Sequence, residues 1–144
     1  MDKKKVLFVC VHNSARSQMA EEYLRQMAGD EYEIESAGLE PGTINPLVEE
    51  VLKEDNIDIS GKQTRSVFDL YKAGKNYQYV VTVCSREAEE QCPTFPGVAQ
   101  RFNWPFEDPA SAEGSREEKL EKVRFIRDQI KVKVSEFIDL TREG

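Results

Sequence analysis

The stretch LFVCVHNSARSQMAEEYL, residues 7 to 24, decides the fold of this 144-residue chain. The apolar run from Val6 to Val11 is typical of a strand that is buried on both faces of a parallel sheet. From Met19 onward, apolar residues recur every three or four positions, which predicts an amphipathic helix. A strand, a short polar loop and a helix in this order begin a β–α unit.

The rest of the chain continues this alternation of strands and helices. Further strands are predicted around residues 31–36, 77–83 and 98–103, and further helices around 45–52, 66–72 and 115–140. Asn45-Pro46 and the capping box that starts at Ser115 mark two of the helix starts. We therefore predict a single α/β domain over residues 1–144, with an open four-stranded parallel sheet flanked by helices in a three-layer sandwich.

Composition and charge argue against several classes of protein. Hydrophobic residues make up 39% of the chain and charged residues 33%, as in a globular domain. The net charge is −7 and no basic cluster is present, which argues against a nucleic-acid partner. No run approaches the ~20 apolar residues of a membrane helix, and the apolar run after Lys5 is too short for a signal peptide. We expect a cytoplasmic monomer that binds no nucleic acid and no membrane.

Cys10 lies at the carboxyl end of the first predicted strand, where open parallel sheets bind ligands. Backbone N–H groups of the following loop and helix start are expected to form an oxyanion cradle, because unpaired amides and the positive end of the helix dipole attract anions. Arg16 adds a planar guanidinium that can hold two oxygens of a tetrahedral anion. The predicted cradle comprises Val11, His12, Asn13, Ser14, Ala15, Arg16 and Ser17.

The same donors act on the sulfur of Cys10. They favour the thiolate over the thiol, which makes the cysteine a nucleophile at neutral pH, and the hydroxyl of Ser17 adds to this effect. The alternative is a buried cysteine at a strand end, with Arg16 in a surface ion pair. His12, the single histidine, could act as a general base, but a lone loop histidine is more often a polar surface residue.

These motifs resemble two groups of proteins that share one fold. Cys-x5-Arg-Ser after a first strand is similar to the low-molecular-weight protein tyrosine phosphatases. The fuller pattern is more similar to the thioredoxin-coupled arsenate reductases built on that fold. It comprises HNSARSQMAE at 12–21, SAG at 36–38, IDIS at 57–60, VVTVC at 80–84 and EDPA at 107–110. The resemblance covers nearly the whole chain, with the motifs in order.

The resemblance implies arsenate reduction without a cofactor. In such a reaction Cys10 attacks arsenate, Cys84 attacks Cys10 and releases arsenite, and Cys92 attacks Cys84. The resulting Cys84–Cys92 disulfide is reduced by thioredoxin, and phosphate and sulfate are competing oxyanions. Asp108, followed by Pro109, is implied as the general acid for the departing oxygen, although an aspartate there could instead cap a turn.

The positions of the three cysteines fit such an exchange. An odd number of cysteines without a signal peptide argues against structural disulfides. Cys10 and Cys84 both follow predicted parallel strands, whose ends lie close enough for a disulfide after some loop movement. We predict a helix or helical loop between Cys84 and Cys92 in the reduced protein and a looped-out segment in the oxidised one. A helix there would place the two cysteines ~12 Å apart, so their disulfide requires this segment to unwind. The alternative is a surface helix with incidental thiols.

Two other functions remain open from the sequence. One is a low-molecular-weight protein tyrosine phosphatase that hydrolyses phosphomonoesters through a Cys10 phosphocysteine. The other is a non-enzymatic sensor of anions or redox state. A phosphatase would need neither Cys84 nor Cys92, whereas a reductase would need both.

Some relatives of this type bind a potassium ion through an Asn, a Glu, a Ser and an Asp. Asn13, Glu21 and Ser36 match the first three ligands, but no Asp stands near residues 65–66. We therefore predict no metal site.

Overall fold

The computed structural model contains one parallel sheet with helices on both faces, and it describes residues 3–85, 88, 90–93, 95 and 100–142. The strands β1 (Lys4–Cys10), β2 (Tyr32–Gly38), β3 (Tyr79–Thr82) and β4 (Gln100–Asn103) are arranged in the order β2-β1-β3-β4. The helices are α1 (Arg16–Ala28), α2 (Pro46–Lys53), α3 (Val67–Lys72) and α4 (Arg116–Arg142), with a 3-10 turn at Pro109–Ser111. The predicted α/β class and four-stranded parallel sheet are confirmed.

The ends of the strands differ from the prediction by a few residues. β2 extends beyond the predicted end near residue 36 to Gly38, because Ala37 and Gly38 pair with the last two residues of β1. β3 is shorter than predicted, since its pairing with both β1 and β4 is limited to Tyr79–Thr82. Residues 98 and 99 of the last predicted strand lie outside the described residues.

The two faces of β1 belong to two separate hydrophobic clusters. Phe8 and Cys10 lie in the larger cluster, here called the first-face cluster, which is covered by α1, α2 and α4. Leu7 and Val9 lie in the smaller second-face cluster, which includes Val67 of α3. Because β1 is buried on both sides, its sequence is continuously apolar instead of alternating.

The starts of α2 and α4 are capped as predicted, whereas α1 is not. Asn45 Oδ1 accepts from the Leu47 N–H at 2.9 Å, and Ser115 and Glu118 exchange the two hydrogen bonds of a capping box. The N-cap residue of α1 is Ala15, which makes no side-chain capping bond. The first-turn N–H groups of α1 therefore receive no acceptor from this residue.

The long helix α4 closes the first face of the sheet. Its buried residues follow the predicted apolar stripe from Leu120 to Phe137, and the stripe extends to Thr141. Within the described ranges, no helix combines the length and the apolar character needed to cross a bilayer.

Candidate active site

The loop between β1 and α1, residues 11–15, is held on one side by the segment 39–45. Carbonyl groups of the loop accept hydrogen bonds of 2.7–3.1 Å from that segment: Cys10 from Leu39, Val11 from Glu40, His12 from Gly42 and Ser14 from Asn45. In a trans peptide, the N–H of the next residue points away from the carbonyl. The N–H groups of residues 11, 12, 13 and 15 therefore point away from segment 39–45, as an oxyanion cradle requires.

The sulfur of Cys10 is buried and lies among hydrogen-bond donors. The Asn13 N–H donates to Cys10 Sγ at 3.1 Å, and Ser17 Oγ lies 2.9 Å from the same sulfur. Ser17 Oγ accepts a hydrogen bond from Asn13 Nδ2 at 2.8 Å, which leaves its own proton available for the sulfur. Both the Asn13 N–H and the Ser17 hydroxyl can donate hydrogen bonds to the sulfur when it acts as a nucleophile.

Asn13 is the residue that ties the loop together. Its φ of 54° is left-handed, a conformation that asparagine tolerates better than most residues. Besides Ser17, its Nδ2 donates to Ser36 Oγ at 3.0 Å, while its Oδ1 accepts from the Arg65 N–H at 3.0 Å. Its carbonyl accepts from Gln18 Nε2 at 2.9 Å. The sequence predicted Asn13 only as one of several cradle residues.

Gly38, at the end of β2, allows the loop to pack closely against the sheet. A Cβ atom at this position would lie 2.7 Å from Asn13 N and 2.8 Å from Val11 O. Backbone atoms of the loop leave no room for a side chain. The sequence offered Gly38 only as part of a family motif, without this physical role.

Glu21 on α1 is a buried carboxylate with several partners. It accepts from Ser36 Oγ, from Arg25 Nη2 at 2.6 Å, and forms an ion pair of 2.9 Å with Lys62 Nζ. Burial by itself would raise the pKa of Glu21, but the charge of Lys62 and the hydrogen bonds from Ser36 and Arg25 outweigh it and lower the pKa. Lys62 was not among the predicted site residues.

The residues that match potassium ligands do come together, but they do not fit a potassium ion. The amide oxygen of Asn13 already accepts from Arg65, and the charge of Glu21 is already balanced by Lys62 and Arg25. Among the residues that the structure describes, no cluster of three or more His, Cys, Asp or Glu side chains could hold a metal ion.

Arg16 and Asp108 lie together, as expected for an oxyanion site. Arg16 Nη2 is 3.7 Å from Asp108 Oδ2, and Arg16 Nη1 donates to the carbonyl of Phe106 at 3.0 Å. A guanidinium has five N–H donors, so these two contacts leave donors for an oxyanion. Asp108 Oδ1 also accepts from the Ala110 N–H at 3.0 Å, so this aspartate caps the turn at Pro109–Ser111 as well.

Cys84 lies just beyond the end of β3, beside β1. The register pairs Thr82 with Val9, and the Val83 N–H donates to the Val9 carbonyl at 2.8 Å. Cys84 is 1% exposed and belongs to the same first-face cluster as Cys10. The predicted neighbourhood of these two cysteines is therefore supported by their shared sheet edge and shared cluster.

Cys92 lies on the opposite side of the sheet. It is 7% exposed, belongs to the second-face cluster with Val9 and Val80, and its thiol donates to the Pro93 carbonyl at 3.6 Å. All three cysteines are present as thiols. The predicted helix or helical loop between Cys84 and Cys92 lies partly outside the described residues; within it, Ala88 is helical and contacts both clusters.

A search against protein families gives one match that covers almost the whole chain. The family of low molecular weight phosphotyrosine protein phosphatases matches residues 5–143. The chain belongs to this family. Among its curated relatives is an arsenate reductase of Halalkalibacterium halodurans, 42% identical over 142 residues, which span 96% of this chain and 98% of the relative.

Solved structures of related proteins agree with this assignment. An arsenate reductase in the phosphate binding state has a TM-score of 0.77 and 29% identity, over 94% of this chain and 97% of the other. A thioredoxin-dependent arsenate reductase of Corynebacterium glutamicum has a TM-score of 0.62 and 31% identity, over 92% of this chain and 62% of the other. The resemblance drawn from the sequence motifs is confirmed.

His12 lies at the surface in this member of the family. The side chain is exposed, and its Nδ1 lies 2.9 Å from the Glu40 carbonyl. Because a carbonyl oxygen only accepts, Nδ1 must carry the proton in this contact. The exposed side chain fits the interpretation of His12 as a polar surface residue, while this hydrogen bond leaves Nε2 as an acceptor.

Proposed function

We propose that this chain reduces arsenate to arsenite, with Cys10 as the nucleophile and with Cys84 and Cys92 as the thiols that supply electrons. One observation carries the proposal. The buried sulfur of Cys10 lies within hydrogen-bond distance of Asn13 N and Ser17 Oγ, beside a strand end that bears a second buried cysteine. The arsenate reductases among its relatives support the same reaction.

In the first step, the cradle and Arg16 hold arsenate while the Cys10 thiolate attacks arsenic. A bond forms between Cys10 Sγ and arsenic, and one arsenate oxygen leaves as water. Asp108 supplies the proton for that oxygen. Its position 3.7 Å from Arg16 and its half-exposed side chain support this role.

In the second step, the Cys84 thiolate attacks Cys10 Sγ. The bond between sulfur and arsenic breaks, and its electron pair moves to arsenic, which departs as arsenite. A Cys10–Cys84 disulfide forms at the same time. The two thiols lose two electrons in total, and arsenate gains these two electrons.

In the third step, Cys92 attacks Cys84 and releases Cys10 as a thiolate. Because Cys92 is buried in the second-face cluster, it must leave that cluster to reach Cys84. We propose that thioredoxin then reduces the Cys84–Cys92 disulfide. In support, the Corynebacterium glutamicum relative is named a thioredoxin-dependent arsenate reductase. All three thiols belong to one chain, so we propose that a monomer is sufficient.

Hydrolysis of phosphomonoesters is the second candidate. The pairing of Arg16 with Asp108 beside Cys10 favours it, because the same groups could form and protonate a phosphocysteine intermediate. This reaction makes no use of the buried thiols of Cys84 and Cys92.

A thiol count during a single turnover separates the two candidates. With one equivalent of arsenate, the protein should lose two thiols, form one arsenite, and regain both thiols when reduced thioredoxin is added. Cys84→Ser should lower the rate of arsenite formation at least about 100-fold, because no thiol at residue 84 can attack Cys10 and release arsenic. The same variant should keep any hydrolysis of p-nitrophenyl phosphate, whereas Cys10→Ser should abolish both activities. An unchanged thiol count after arsenate would refute arsenate reduction.

A further inference from the structure

The side chain of Asn103 contacts the main chain of Cys84. Asn103 is the last residue of β4, and its backbone is paired with Thr82 of β3. Its Nδ2 donates to the Cys84 carbonyl at 3.0 Å and to Thr82 Oγ1 at 2.8 Å. The amide of Asn103 therefore extends the contact between β3 and β4 by two residues beyond the last paired position.

The main chain that leads to Cys84 is thus held by both neighbouring strands. On one side, the Val83 N–H donates to the Val9 carbonyl of β1 at 2.8 Å. On the other side, the Asn103 amide of β4 donates to the Cys84 carbonyl at 3.0 Å.

The amide oxygen of Asn103 has no hydrogen-bond partner among the described residues, although it is buried. A buried acceptor without a partner costs free energy. A nonpolar residue would avoid this cost, so the asparagine contributes through its nitrogen. That nitrogen donates to Thr82 Oγ1 and to the carbonyl of Cys84 itself.

We propose that Asn103 is a positioning residue for Cys84. It holds the Cys84 carbonyl so that the thiol stays at the sheet edge beside Cys10, while the chain beyond Cys84 rearranges to bring Cys92 from the other face. This inference rests on the proposed function. The step that it serves is the attack of Cys84 Sγ on Cys10 Sγ, in which the sulfur–arsenic bond breaks, its electron pair reduces arsenic, and a disulfide forms.

The test uses a Cys92→Ser parent, in which oxidation stops at the Cys10–Cys84 disulfide. Arsenate is added, the reaction is quenched with acid, and the disulfide is followed by mass spectrometry. Asn103→Asp keeps the size of the side chain but removes the donor, and Asn103→Ala removes the amide. Both should slow disulfide formation about 10- to 100-fold, since small misplacements of reacting groups have effects of this size. Gln100→Ala, at the exposed start of the same strand, is the matched control and should keep the parent rate.

Two further measurements distinguish positioning from a general loss of structure. Alkylation of Cys10 by iodoacetamide, and its protection by inorganic phosphate, should remain within about twofold of the parent in the Asn103 variants. In glutathione buffers without arsenate, the Cys10–Cys84 disulfide should be about 10- to 100-fold less stable relative to its thiols, because the effective concentration of the two thiols falls.

The possible failures have different meanings. If the Cys92→Ser parent forms no disulfide with arsenate, the proposed function is refuted, and the glutathione equilibrium alone then decides the role of Asn103. Parent-like rates and equilibria in Asn103→Asp and Asn103→Ala would overturn the positioning role and leave arsenate reduction intact. Equal losses in disulfide formation and in the reactivity of Cys10 would overturn it in favour of a purely structural role.

Discussion

At the scale of single residues, the surroundings of Cys10 depend on one side chain and on one missing side chain. Asn13 links the loop to Ser17, Ser36 and Arg65 through its amide. Gly38 leaves the space into which the backbone of the loop fits. The position of the donors around the sulfur therefore depends on residues that need not touch the substrate.

Replacement of Gly38 by alanine should damage the cradle. The added Cβ would lie 2.7 Å from Asn13 N and would force the loop away from β2. We expect a loss of about 1–3 kcal/mol in the free energy of unfolding, as for other overpacked sites, and at least tenfold weaker phosphate binding by calorimetry. Gly42→Ala is the matched control, because its Cβ would meet the side chain of His12 at an ordinary 3.5 Å. Equal phosphate affinity in the two variants would contradict this role of Gly38.

At the scale of elements, the segment that carries Cys92 is anchored by aromatic contacts. Phe95 lies in the second-face cluster, and its ring centroid is 5.2 Å from that of Tyr77 and 5.8 Å from that of Tyr71, both in edge-on geometry. Such pairs stabilise a structure by about 0.5–1.5 kcal/mol beyond burial of their area. The anchor therefore opposes the movement that brings Cys92 to Cys84.

A weaker anchor should speed the second disulfide exchange. In Phe95→Leu, we expect the conversion of Cys10–Cys84 to Cys84–Cys92 to become about 3- to 10-fold faster, in proportion to the lost ring contacts. Quenched single-turnover samples analysed by mass spectrometry would show this. Phe102→Leu loses two ring contacts on the other face, to Tyr79 and Phe137, and serves as the control. If both variants change the rate equally, the anchor does not control the exchange.

At the scale of the whole molecule, a buried ion pair links the site to a distant loop. Lys62 contacts both Glu21, at 2.9 Å, and Glu22, at 3.1 Å. The pKa of Glu21 is lowered below its ordinary 4.5, although burial alone would raise it. A carboxyl whose pKa is lower in the folded state stabilises the fold above its unfolded pKa, and this contribution is lost as the pH falls through the folded pKa.

Lys62→Met should therefore destabilise the protein most at neutral pH. We expect a loss of about 1–3 kcal/mol in the free energy of unfolding at pH 7, because a buried charge loses a partner. The difference from the wild type should shrink as the pH falls below the ordinary value of 4.5 and through the lowered folded-state pKa of Glu21. Urea unfolding followed by the fluorescence of Trp104 would measure both. Lys75→Met removes only an exposed pair of 3.7 Å with Glu35 and should have little effect. If the difference in the free energy of unfolding between Lys62→Met and the wild type does not change with pH, the ion pair of Lys62 with Glu21 is not its cause.

Much of the fold could be predicted because its signals are local. The apolar run of β1, the periodicity of α4 and the cap at Asn45 each lie within a few neighbouring residues. The nucleophile motif is local as well, so Cys10, Arg16 and Ser17 could be proposed together. Strand ends were less predictable, since they depend on the length of the neighbouring strands.

The contacts of Phe106, Lys62 and Asn103 with the site could not be predicted from the pattern of residues. Each joins positions that are distant in the chain, as in the bond from Arg16 to Phe106. Such contacts depend on how the loops at one edge of the sheet meet, and hydrophobic periodicity carries no signal for that. The same reason explains why the sequence did not reveal the face on which Cys92 lies.

The α/β class, the strand–loop–helix unit around Cys10 and the presence of three cysteines can be read from the chain itself, because they follow from local periodicity and residue chemistry. The placement of Cys10 and Cys84 on one face and of Cys92 on the other depends instead on tertiary contacts. This is because parallel pairing brings the carboxyl ends of β1 and β3 to one edge, whereas apolar burial draws Cys92 into a separate core.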